Sequence, residues 1–97
     1  MRIIAKKILR EFWEKHADAE QPLKTWYREA NLSEWTNPSE IKAAYVKASI
    51  LKNSRVVFNI CGNKYRLITK VEYDKGWVFI RFIGTHSEYD QIDANTI

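Results

Sequence analysis

Two features of this sequence can carry chemistry: one histidine among small and acidic residues, and a set of cations on segments that alternate or turn. His86 stands in Gly84-Thr85-His86-Ser87-Glu88-Tyr89-Asp90, just past an apolar stretch ending at Ile83. An imidazole gives or takes a proton near neutral pH, and a loop anchored by a strand end presents it to solvent. The cations are Arg55, Lys64, Arg66, Lys70 and Arg81. Arg66 and Lys70 share one face of segment 65–73, opposite Tyr65, Leu67, Thr69 and Val71. Cations interleaved with aromatics suit single-stranded RNA, because charges pair with phosphates while rings stack on bases. The plainer reading stands beside it: any half-exposed antiparallel sheet turns polar side chains outward.

The face of Arg81 depends on register. If Tyr73 pairs with Trp77 across Asp74-Lys75-Gly76, Arg81 lies opposite Thr69, away from Arg66. A bulge at Gly76 or a one-residue shift reverses this. Both registers stay open.

Other chemistries lack their motifs. There is no Gly-rich phosphate loop, no serine nucleophile elbow and no CxxC. His16 and His86 come without a clustered carboxylate pair, so no metal site and no cofactor are expected. His16, on the polar side of the first helix, reads as solvated. Cys61 is the single cysteine, which excludes an internal disulfide and reads as a half-buried structural thiol beside a turn. Trp13, Trp26 and Trp35 fall in the helical half and read as core or partner contacts rather than base stackers.

These groups need a scaffold, and 97 residues make one small domain. A domain this small needs large side chains to fill its core, and 13% of its residues are aromatic. The net charge of +4 favours a polyanionic partner. Arg2 to Ala5 is a short strand or a first helical turn. Ile4, Ile8, Leu9 and Phe12 mark one face of a helix reaching about His16. A second helix starts near Pro22, with Leu23, Trp26, Tyr27 and Ala30 on its stripe. A third starts at Asn37-Pro38-Ser39-Glu40, a capping-box pattern, and buries Ile41, Ala44, Tyr45 and Ala48.

After about Asn53 the period falls to two. Strands are expected at 55–60, 65–73 and 77–83, with turns at Cys61-Gly62-Asn63-Lys64 and Asp74-Lys75-Gly76. The first turn needs positive φ angles, which Gly62 and Asn63 tolerate. The architecture is α+β, with N-terminal helices packed on one face of a small antiparallel β-sheet. Charge comes too soon after Met1 for a signal peptide, and no apolar run approaches the ~20 residues that span a bilayer. A cytoplasmic protein without a membrane partner is expected.

The segment Val56-Val57-Phe58-Asn59-Ile60-Cys61-Gly62-Asn63-Lys64-Tyr65-Arg66-Leu67-Ile68, followed by Arg81-Phe82-Ile83-Gly84-Thr85-His86-Ser87-Glu88-Tyr89-Asp90, closely resembles the HigB family of toxin–antitoxin toxins. Trp35, Pro38, Ile41 and Lys42 fit the same pattern, so the resemblance covers most of the chain. It implies a RelE-like fold and an endoribonuclease that cuts mRNA, often on the ribosome. It also implies a cognate antitoxin, commonly a HigA-like helix-turn-helix protein. The arginine of the Tyr-Arg-Leu strand corresponds to Arg66, and a second basic group past the last strand to His86. Some relatives place lysines before the turn, where this chain has Val57 and Asn59, leaving Lys64 or Arg55 to supply that charge.

On this resemblance His86 is the acid or base and Arg66 the phosphate clamp, its planar fork holding two oxygens at once. Lys64 assists, and Tyr89 stacks on a base or shares proton transfer. Arg55, Asn59, Lys70 and Arg81 contact RNA. Two other readings compete. A non-catalytic RNA- or ribosome-binding module needs only the basic sheet, and would bind tightly without leaving cyclic phosphate ends. A protein-interaction domain would use its Trp-rich helices, and its RNA affinity would be weak and insensitive to salt.

Overall fold

The change from a 3.6-residue to a 2-residue period becomes a change from helices to strands in a computed structural model describing residues 1–97. The order is β1 (Arg2–Ile4), α1 (Lys6–Lys15), a 3₁₀ turn (Ala17–Ala19), α2 (Glu20–Leu32), α3 (Pro38–Ala44), β2 (Ser49–Ile50), β3 (Arg55–Ile60), β4 (Tyr65–Glu72), β5 (Trp77–Thr85) and α4 (His86–Tyr89). The strands form one sheet in the order β1-β5-β4-β3-β2. Strands β3 to β5 pair antiparallel as expected, and a short β2 that the alternation did not reveal pairs antiparallel with β3. The sheet is nevertheless mixed rather than antiparallel, because β1 lies parallel to β5 at one edge. The chain leaves that edge through three helices and re-enters at the opposite edge as β2. No helix is long and apolar enough to cross a membrane.

Local chemistry explains most boundaries. Pro22 lies in the first turn of α2, where N–H groups have no helical acceptor to lose. Asn37 Oδ1 accepts from the Glu40 backbone N–H at 3.2 Å and starts α3. The Glu40 carboxylate reaches Thr36 N (2.6 Å) and Thr36 Oγ1 (2.7 Å) instead of Asn37, so the capping box is displaced by one residue. Helix α3 ends at Ala44, which is exposed, and Ala48 is buried from the following loop. In the β3–β4 turn, positive φ falls at Cys61 (57°) and Gly62 (67°), not at Asn63.

Both faces of the sheet carry apolar cover. On the helical face, Phe58, Leu67, Val71 and Val78 pack with Leu9, Leu23, Trp26, Trp35 and Ile41. The opposite face is not simply open, as alternation suggested. Val57 and Ile68 pack there against Ala94, with Phe82, Tyr89, Ile92 and Ile97 around them. Arg55 holds this C-terminal cover in place. Its Nε and Nη2 donate to the Ile97 carbonyl at 3.1 and 2.7 Å, and Nη1 donates to the Asn53 carbonyl at 2.8 Å.

Gly84 is buried where β5 meets this cover. A Cβ there would fall well inside contact distance of Phe82 Cζ and 2.9 Å from Glu88 Oε1. Gly84→Ala should therefore lower stability by about 1–3 kcal/mol in urea unfolding, as overpacking does. An unchanged midpoint would show that Phe82 yields freely.

Candidate active site

The β3–β4 turn and the end of β5 meet at one end of the sheet. Across the ladders Arg66 pairs with both Asn59 and Gly84, and Tyr65 pairs with Thr85. Antiparallel partners point to one side, so Asn59 and Arg66 share the face opposite the helices. Beyond Thr85 the chain turns into α4. Thr85 Oγ1 accepts from Glu88 N at 3.1 Å, and Glu88 Oε1 accepts from Thr85 N at 2.8 Å. This reciprocal cap fixes the first turn, and the His86 N–H donates to the Lys64 carbonyl at 3.3 Å, tying α4 to the hairpin. The sequence signal was present in the Thr85-x-x-Glu88 spacing.

His86 is 57% exposed, and its Nδ1 lies 3.3 Å from Asp90 Oδ2, one helical turn on. A carboxylate on Nδ1 orients the ring and leaves Nε2 to meet a substrate. Arg66 is half-buried, and only its Nη1 is engaged, donating to the carbonyls of Asn63 (2.8 Å) and Tyr65 (3.4 Å). Its Nε and Nη2 have no protein partner, so one fork of the guanidinium is open to an anion. Asn59 donates from Nδ2 to Asn63 Oδ1 at 3.1 Å and stiffens the same turn. No three His, Cys, Asp or Glu side chains gather to hold a metal ion.

The other cations are placed differently. The Lys64 ammonium pairs with Asp18, whose other oxygen accepts from the Tyr65 hydroxyl at 2.6 Å on the helical side of the sheet. It is drawn away from Arg66, and only its backbone carbonyl reaches α4. Arg55, expected to touch RNA, is buried with all three nitrogens bonded to the chain's own carbonyls, so its charge serves the fold. Lys70 lies four residues along β4 from Arg66, about 13 Å away, paired with Glu72 at 3.2 Å. The Tyr89 ring packs partly into the small core, which leaves less of it for stacking.

Register settles Arg81. Glu72 pairs with Trp77, one residue off the Tyr73–Trp77 alternative, and Arg81 is the extra residue of a bulge between Thr69–Ile80 and Ile68–Phe82. It is exposed on the Arg66 side, with Nε 3.2 Å from the Ile97 carbonyl. His16 is not simply solvated. It is half-buried, stacked on Phe12 at 4.3 Å and set edge-on to Tyr65 at 5.4 Å, beside Glu88.

Two carboxyls near this end are held below their ordinary values. Hydrogen bonds from Lys64 and then Tyr65 lower Asp18, and the hydrogen bonds with Thr85 lower Glu88. Both gains are fully present above the unfolded values, about 3.9 and 4.3. They are lost as pH falls through the lower folded values. Urea midpoints measured from pH 6 to 3 should fall, and Asp18→Asn or Glu88→Gln should flatten that acid limb. An equally steep limb in both variants would contradict these contacts.

Known proteins share this pattern along nearly the whole chain. A family model described as HigB toxin, RelE-like toxic component of a toxin-antitoxin system, matches residues 19–92. The chain is similar to the mRNA interferase HigB of Escherichia coli O6:H1, with 27% identity over 94 residues covering 95% of this chain and 91% of that protein. It is also similar to the mRNA interferase toxin HigB of Escherichia coli K12 and the mRNA interferase HigB of Shigella flexneri. Each is 27% identical over 96 residues, covering 97% of this chain and 92% of the relative. With its Arg66 strand and His86 helix both inside the matched span, the chain belongs to the HigB toxin family of RelE-like toxic components of toxin–antitoxin systems.

Proposed function

We propose that this chain is the toxin of a type II toxin–antitoxin system, a metal-independent endoribonuclease that cuts mRNA in the cytoplasm, on the ribosome. Residues 1–97 then form one RelE-like toxin domain, and a HigA-like helix-turn-helix antitoxin silences it. The observation that carries this reading is the open fork of Arg66 on the hairpin whose Lys64 carbonyl also holds the backbone of His86, a histidine whose Nδ1 faces Asp90. The relatives named mRNA interferases support the substrate.

The chemistry follows from those atoms. A scissile phosphate binds the Nε–Nη2 fork of Arg66, and His86 Nε2 takes the proton of the neighbouring 2′-OH. That oxygen attacks phosphorus in line, the bond to O5′ breaks, and solvent protonates the leaving oxygen. The products are a 2′,3′-cyclic phosphate and a 5′-OH. Arg66 matters most as charge builds on the phosphoryl oxygens, since a preformed donor needs no reorganisation at that moment. Asn59 and Arg81 extend the contact along the same face. Lys64, its charge met by Asp18, serves the site through its backbone carbonyl, which holds His86, and Tyr89 borders the site beside His86.

Arg66→Ala and His86→Ala should each reduce cleavage about 10²–10⁴-fold and abolish toxicity on induction. Asp90→Asn should cost less, about tenfold, because it loosens the ring without removing it. Undiminished cleavage in both alanine variants would refute the assignment. Tight RNA binding with no cleavage by the wild type would favour a purely binding role.

A further inference from the structure

The face bearing Arg66 is divided. Its β3 side lies under the C-terminal cover, whereas its β1 side carries no such core. There Trp77 and Phe79 of β5 pair with Arg2 and Ile4 of β1, and with Glu72 and Lys70 of β4. Val78 between them is fully buried in the helical core, so Trp77 and Phe79 point to the other side. Neither ring joins either core, and each keeps part of its surface in water. The rings sit 5.9 Å apart, nearly perpendicular at 86°, with the Lys75 ammonium 5.0 Å over Trp77.

Charge surrounds this pair unevenly. Arg2, Lys75 and Arg81 are exposed, against Asp74 in the turn, while Lys70 and Glu72 neutralise each other. The geometry points to a single-stranded RNA platform here, distinct from the cleavage site and resting on the reading that RNA is the substrate. Bases stack on Trp77 and Phe79, while Arg2 and Lys75 pair with flanking phosphates. An exposed cation–π contact is weak enough for Lys75 to exchange the ring for a phosphate. The platform and the cleavage site lie on the same face of the sheet, with the cover over Ile68 and Phe82 between them. From Trp77 along β5 to Gly84, opposite Arg66, is roughly 20 Å, with Arg81 exposed on the way. An acidic peptide would match the charge, but a single strand of RNA brings a planar base with every phosphate, the combination that paired rings and cations fit. A second copy would set like charges against one another.

The test uses a fully 2′-O-methylated single-stranded RNA of about 12 nucleotides, which binds but has no 2′-OH to attack. Binding is followed by fluorescence anisotropy over a range of salt. Trp77→Leu should weaken binding about tenfold, the loss of roughly one stacked base, and Trp77→Tyr should restore most of it. Arg2→Gln with Lys75→Gln should lower the log–log salt slope by about 1.4, near 0.7 per cation. Because Trp77 lies outside both cores, urea midpoints of the variants should stay close to wild type, which separates lost binding from lost folding. Wild-type affinity in Trp77→Leu overturns the platform, as does a wild type that fails to bind. A dimer lost in Trp77→Leu with RNA affinity unchanged assigns the face to a second copy and overturns it. Loss of antitoxin binding with RNA affinity unchanged assigns the face to the antitoxin and likewise overturns it. Binding that depends on Trp77 in a chain that never cleaves RNA upholds the platform and overturns the proposed activity. Cleavage dependent on Arg66 with no Trp77 effect on binding does the reverse.

Discussion

Between the Glu72–Trp77 and Tyr65–Thr85 pairs, the β4–β5 ladder takes in one extra residue at Arg81, and what β5 and the helix after it set beside Arg66 follows from it. Before the bulge, Trp77 and Phe79 share a face with Lys70. After it, Phe82 and Gly84 share a face with Ile68 and Arg66. Without the insertion, continued alternation would put Ile83 on the outer face and turn Phe82 into the helical core, because a one-residue slip exchanges the two sides. Gly84 then lies opposite Arg66 without a side chain. Phe82 and Glu88 close over it, and Thr85 leaves the strand as the cap of the helix that bears His86.

The same ladder decides which charges remain available. A cation in the sequence is not yet a cation on the surface. Arg55 is used up on Asn53 and Ile97, Lys64 faces Asp18, and Lys70 faces Glu72. Arg66 and Arg81 keep guanidinium nitrogens without a protein partner, at the hairpin end and at the bulge. The fold thus concentrates reach toward an anion along the β4–β5 ladder, with Arg66 on one strand and Arg81 on the other.

Much of this is legible in the sequence. The helices of the first half and the three-stranded meander follow from periods of 3.6 and 2 and from Pro, Gly and Asn at the boundaries. The parallel pairing of Arg2–Ile4 is not, because three residues carry no signal of which edge they join. Nor is the C-terminal cover: Ile92, Ala94 and Ile97 are too few and too irregular to show a period, and their partners Val57 and Ile68 look like ordinary outward positions. Arg81 could not be placed because a bulge is chosen by packing on both faces. His16 looked solvated since Tyr65, which it meets edge-on, comes from a distant strand. The pairing of His86 with Asp90 was available in the spacing of four. It becomes meaningful only once Thr85 and Glu88 make those residues a helix.

In the proposed mechanism the hairpin end, through Arg66 and His86, makes the RNA's own 2′-OH the nucleophile, and everything else rests on that step. The most direct measurement replaces that one hydroxyl with hydrogen at a mapped cleavage position and compares the RNA ends with those of the unmodified strand. The expected result is no cut at the deoxy position, and 2′,3′-cyclic phosphate with 5′-OH ends on the unmodified RNA. Equal cutting of the deoxy strand, or ends carrying a 3′-OH and a 5′-phosphate, would contradict the mechanism.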